Sequence, residues 1–120
     1  MRIILATGDT DLRLAIQLML SEEPGLNIIG SASDCDGLIA LVDSTLPDLA
    51  VMDWELPGRD IGGVLREIKS LASDPEIYLI VLGVKRSIRE TVLNVGADEY
   101  MFIGDPPEKL LEAIRQQKKS

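Results

Sequence analysis

Five short apolar runs recur along the chain, and they are continuous rather than alternating. They are Ile3-Ile4-Leu5-Ala6, Ile28-Ile29, Leu49-Ala50-Val51-Met52, Tyr78-Leu79-Ile80-Val81-Leu82 and Tyr100-Met101-Phe102-Ile103. A strand that is apolar at successive positions must be buried on both faces, the habit of a parallel sheet covered by helices. The segments between the runs carry helical spacing. Leu12, Ala15, Ile16, Met19 and Leu20 form one stripe, Leu38, Leu41 and Val42 a second, and Val64, Ile68 and Leu71 a third. Alternating strand and helix signals predict an α/β fold, an open parallel doubly wound sheet with right-handed crossovers.

Local punctuation supports that alternation. Ser87 and Glu90 read as a capping box opening the fourth helix, and Gly96 stands where that helix should stop. Asp105, Pro106 and Glu108 read as the cap, first-turn proline and third-position carboxylate of the fifth helix. Arg115, Lys118 and Lys119 then fall at its C-terminal end, where cations complement the dipole. No linker, repeat or low-complexity stretch interrupts the pattern. A length of 120 residues suits one hydrophobic core, so residues 1–120 are expected to form a single domain.

Composition removes several classes of function. There is no histidine, which excludes the Ser-His-Asp and Cys-His routes to nucleophilic catalysis and most zinc sites. Cys35 is the only cysteine, so no internal disulfide can form and a reducing, cytoplasmic compartment is expected. No apolar run approaches the roughly 20 residues that cross a bilayer. Met1-Arg2 leads directly into the first strand without a signal-peptide pattern, so no membrane association is expected. Twelve basic against twenty acidic side chains give a net charge of −8, which repels phosphate backbones and argues against direct nucleic-acid binding. The acidity reads chiefly as solubility, the alternatives being a basic partner or cation binding at one acidic cluster.

In doubly wound sheets, functional groups gather beyond the C-terminal ends of the strands. The residues there are Thr7-Gly8-Asp9, Asp53-Trp54-Glu55, Gly83-Val84 and Ile103-Gly104. No glycine-rich phosphate loop follows the first strand, so nucleotide binding has little support.

The stretch from Pro47 to Gly58, with Asp53 at the end of its apolar run and Leu56-Pro57-Gly58 after it, resembles the phosphoacceptor segment of bacterial response-regulator receiver domains. Gly96-Ala97-Asp98-Glu99-Tyr100 resembles that family's approach to its fifth strand, and Pro107 to Ile114 resembles its final helix. The resemblance covers essentially the whole chain. It implies a flavodoxin-like, five-stranded parallel sheet in the order 2-1-3-4-5 with helices on both faces. It also implies a role in two-component or phosphorelay signalling, with Asp53 as phosphoacceptor and no enzymatic activity of its own.

The same resemblance implies supports around that carboxylate: an acidic pair holding Mg²⁺, a Ser or Thr after the fourth strand, and a Lys after the fifth. Aligned without gaps, the acidic pair is replaced by Thr7 and Gly8, the hydroxyl position by Gly83, followed by Val84, and the lysine by Ile103. Gly104 stands where the family usually has a cis proline, whereas its switch aromatic is kept as Tyr100. Two unit charges about 4 Å apart interact by about 4 kcal/mol at an effective dielectric near 20, so losing the charged partners should cripple phosphoryl transfer and weaken Mg²⁺ binding. The expectation is an atypical receiver that works through protein–protein contacts.

Alternatives stay open at several residues. Asp53 is either a nucleophile or a residue that ends the strand and caps the loop, and the missing supports weigh toward the second. Asp9 either joins Asp53 in holding Mg²⁺ after a local slip, with Glu55 as a further ligand, or caps the first helix. Trp54 either faces a partner or folds over the site. Tyr100 is either a rotating switch or a plain edge-strand residue. Cys35 reads as a core filler.

The implied partners are proteins: a histidine kinase or other signalling partner, an effector domain, or a second copy of the chain. The family's output surface would include Arg89, Thr91, Tyr100, Lys109 and Glu112 here. The polar tail from Arg115 to Ser120 suits the receiver half of a longer regulator whose second part binds DNA. Two rival readings are a competent phosphoacceptor using Asp9 and Asp53 with Mg²⁺, and a flavodoxin-like ligand-binding or hydrolytic protein that shares only the fold.

Overall fold

The computed structural model describes residues 1–71 and 76–118. Strands β1 (Arg2–Ala6), β2 (Asn27–Ala32), β3 (Leu49–Asp53), β4 (Tyr78–Gly83) and β5 (Glu99–Phe102) alternate with helices α1 (Thr10–Ser21), α2 (Cys35–Thr45), α3 (Ile61–Leu71), α4 (Arg89–Asn94) and α5 (Pro107–Lys118). The strands form one parallel sheet in the order β2-β1-β3-β4-β5, the flavodoxin-like arrangement expected from the sequence. The two-residue run Ile28-Ile29 grows into a six-residue strand because Gly30, Ser31 and Ala32 pair with Ile4, Leu5 and Ala6.

The continuous apolar runs divide by alternate residues between two cores. Ile4, Ala6, Ala50, Met52, Leu79 and Val81 meet Leu38 and Val42 of α2, Val64, Leu65 and Ile68 of α3, and Val92 of α4. Ile3, Leu5, Leu49, Val51, Ile80 and Leu82 meet Ile16 and Leu20 of α1 and Leu110 and Ile114 of α5. Burial on both faces is why the strand sequences do not alternate. Each fully buried aliphatic side chain contributes about 1.5–3 kcal/mol of transfer free energy, so these two layers hold the sheet rigid beneath its loops.

Several local expectations need correction. Ala15 is exposed in the middle of α1, beside buried Ile16, and Leu71 is exposed at the end of α3. Ser87 and Glu90 form no capping box. A 3₁₀ turn at Arg86–Ile88 places Ser87 inside the turn, Ile88 occupies the cap of α4, and no side chain closes either N-terminus. Helix α5 begins at Pro107, so Pro107 rather than Pro106 takes the first-turn position. Asp105 instead pairs with Arg86 at 2.8 Å and Lys109 at 3.5 Å. Arg115 donates to Glu23 at 2.7 and 2.8 Å, bracing α5 against the end of α1. Gly96 does end the α4 region, with φ +123° and its N–H on the Leu93 carbonyl. The Lys118 side chain and Lys119 lie outside the described part.

Candidate functional site

The two central strands β1 and β3 end side by side, since Ala6 pairs with Met52. The next residues along, Thr7 and Asp53, are therefore neighbours. Thr7 is only 3% exposed. Its hydroxyl donates to Asp53 Oδ2 at 3.0 Å and accepts from the Asp9 N–H at 3.1 Å. The other carboxylate oxygen, Oδ1, accepts from the Glu55 N–H at 3.0 Å. Both oxygens of Asp53 are thus held by neutral donors. A sequence reading that treats Thr7 only as a missing carboxylate overlooks this role, although a threonine's capacity to donate was the available signal.

Asp9 takes the capping role, its Oδ1 accepting from the Leu12 N–H at 3.1 Å. Glu55 is exposed. Asp9, Asp53 and Glu55 nevertheless line one cavity of about 360 Å³, together with Gly8, Leu12, Val84 and Ile103. The described residues lining it include no cation, because Ile103 presents an aliphatic chain at the position expected for lysine.

This donor set does not fit a Mg²⁺ site. The ion wants near-octahedral hard oxygens and usually one or two free carboxylates. Here Thr7 offers a neutral hydroxyl already used in both directions, Gly8 offers no side chain, and Asp9 faces a helix amide. Among the described residues, no group of three or more His, Cys, Asp or Glu is arranged to hold a metal ion.

On the other side of the rim, β4 and β5 bring Gly83 opposite Phe102. Tyr100 is 4% exposed, and its ring packs into the core on the α2–α3–α4 side. Its hydroxyl donates to the Lys85 carbonyl at 2.5 Å. Burial raises the Tyr100 pKa above its ordinary value. Tyr100 is therefore an inward-facing core residue on an edge strand. Trp54 is half-buried against the same core, and its backbone N–H donates to the Leu82 carbonyl at 2.8 Å. Cys35 is fully buried, with Sγ facing the Leu56 and Arg59 carbonyls, as a core filler should be.

A doubly wound sheet carrying an acidic residue at the tip of its central strand defines the receiver class. Residues 3–115 match the response regulator receiver domain family, and the chain belongs to that family. It is 34% identical over 116 residues to the response regulator GacA of Pseudomonas aeruginosa, covering 94% of this chain and 53% of that protein. It is 28% identical over 114 residues to the nitrate/nitrite response regulator protein NarL of Escherichia coli, covering 95% and 53%. The chain thus spans about half the length of these curated relatives. In fold it is similar to the isolated receiver domain of RcsB from Salmonella enterica serovar Typhimurium, solved with phosphomimetic BeF3- (TM-score 0.88, 22% identity, covering 100% of this chain and 89% of that one). It is also similar to the response regulator domain of Thermotoga maritima CheB (TM-score 0.86, 20% identity, covering 100% and 97%).

Proposed function

We propose that this receiver domain signals through protein–protein contacts without efficient phosphorylation of Asp53. The observation that carries the reading is the hydrogen bond of 3.0 Å from Thr7 Oγ1 to Asp53 Oδ2. It gives the carboxylate a neutral partner at the position where the family places an acidic metal ligand. Ile103 and Gly83 remove the cation and the hydroxyl that would stabilise a transferring phosphoryl group. Without those charges the aspartate serves to close the β3 loop, holding the Glu55 amide as well as the Thr7 hydroxyl.

In this reading residues 1–120 act as one cytoplasmic domain. Its partners are proteins, whether an effector domain, a kinase-like regulator or a second copy, and its net charge of −8 keeps it off nucleic acid. The test is incubation with acetyl phosphate and Mg²⁺, read by mobility on a phosphate-binding gel. The expected result is no shifted band for a folded protein. A shifted band that disappears with Asp53→Ala overturns the reading, and its further loss with Asp9→Ala would establish the competent phosphoacceptor that uses Asp9 and Asp53.

A further inference from the structure

Packed helices ordinarily interdigitate and leave little space between them. The layer formed by α1 and α5 does not do so at the end nearest the strand tips. There α1, the ends of β4 and β5, and the start of α5 surround a cavity of about 310 Å³. Its apolar walls include Ala15, Met19, Met101, Ile103, Pro107 and Leu110. At the far end the same two helices are closed together by the paired hydrogen bonds from Arg115 to Glu23. Ala15, exposed in mid-helix, belongs to the wall, so the cavity opens to solvent.

Size and charge narrow what could enter. An apolar cavity of about 150 Å³ holds benzene, so this one has room for a body roughly twice as large. Met19 and Met101 are flexible and can fit their side chains to such a body. Among the described residues, the charged side chains in the wall are two carboxylates, Asp105 and Glu108. Asp105 is engaged by Arg86 and Lys109, whereas Glu108 is exposed. Leu12 and Ile103 also border the neighbouring strand-tip cavity, which holds Asp9, Asp53 and Glu55. The field at the opening therefore attracts a cationic head and repels a carboxylate.

We propose that this cavity binds a small amphipathic amine, its apolar body between α1 and α5 and its ammonium group toward Glu108. As a binding site it goes beyond the reading of Asp53 and does not depend on it. Only its use as an input in place of phosphate rests on that reading. Binding is therefore measured without Mg²⁺ or a phosphodonor, so that failure of one does not carry the other.

The probe is tryptamine, titrated into the full chain carrying isotope-labelled methionine methyl groups. The Met19 and Met101 resonances should shift saturably in the millimolar range or below, while Met52, buried in the opposite core, should not move. Indoleacetate, with the same ring and the opposite charge, should bind about tenfold or more weakly. Ala15→Trp sets a ring into the cavity from an exposed position and should weaken tryptamine binding about tenfold or more. Should that variant fail to fold, Glu108→Gln serves in its place and should narrow the gap between the two probes. The absence of a saturable shift, equal affinity for both probes, or binding that both substitutions leave unchanged overturns the proposal. Shifts of Met19 and Met101 that follow protein concentration alone, with a dimer in sedimentation, would give the cavity to a second copy and overturn it as well.

Discussion

The two halves of the strand-end rim are held together in different ways. Around β1 and β3, polar groups satisfy one another: Thr7 and the Glu55 amide hold Asp53, while Asp9 holds the start of α1. That half lines, together with Val84 and Ile103 from beyond β4 and β5, an open cavity of about 360 Å³. Around β4 and β5 the space is filled, with the Tyr100 ring where a side chain at Gly83 would stand. The first half is held by hydrogen bonds, each worth about 0.5–1.5 kcal/mol net, and the second by burial of a large ring. Substitutions in the second half should therefore cost more, and those in the first should be more sensitive to ions.

The largest effect is expected at the filled half. Tyr100→Ala removes a buried ring and should lower stability by about 3–5 kcal/mol, whereas Tyr100→Phe should lose only about 0.5–1.5 kcal/mol with its hydrogen bond. Urea denaturation distinguishes them, and a near-neutral Tyr100→Ala would break the comparison. At the hydrogen-bonded half, Thr7→Val should cost about 1 kcal/mol, because the half-buried Asp53 can recover part of its hydrogen bonding from water. Thr7→Asp sharpens the contrast. It sets a second carboxylate beside Asp53, so its melting temperature should fall in chelator and recover with Mg²⁺, while the parent protein shows no such recovery.

Ionisation offers two smaller tests. The pKa of Tyr78 is pushed up to about 12, chiefly by burial and also by its hydrogen bond to Glu99. A phenol whose folded pKa is raised contributes stability that is whole below its unfolded pKa of about 10 and is lost as pH climbs toward the folded value. Alkaline unfolding followed by tyrosinate absorbance should therefore lag behind free tyrosine. A Tyr78→Phe variant should lose that pH-dependent contribution. The smallest effect concerns Asp105, whose carboxyl is held below its ordinary range mainly by its hydrogen bond with Arg86. Its share of stability is present above the unfolded carboxylate value and fades as pH falls through the folded one. Arg86→Ala should return the Asp105 carboxyl toward the ordinary value in an NMR titration, without unfolding the chain.

The sheet was legible because double-sided burial writes itself as continuous apolar runs, and Leu49 to Met52 could not be read otherwise. Helix faces were less legible at their margins. Ala15 and Leu71 fit a helical period, but a stripe records periodicity and not which of its positions a neighbouring element covers. Ser87 and Glu90 had the spacing of a capping box, yet the hydrogen bond from Tyr100 to the Lys85 carbonyl accompanies a 3₁₀ turn at that point. At the site, positions could be assigned by resemblance, whereas contacts could not. That Thr7 donates to Asp53, or that Gly83 yields its space to Tyr100, depends on strand register to within one residue.

The central claim is that Asp53 is held by neutral donors and no longer acts as a metal-assisted phosphoacceptor. Trp54 adjoins it in sequence and is the only tryptophan, so the protein carries its own reporter. The most direct measurement is Trp54 fluorescence during titration with Mg²⁺ and then beryllofluoride, on protein shown to be folded. The account predicts a flat trace that Asp53→Ala leaves unchanged. A saturable change abolished by Asp53→Ala would contradict it.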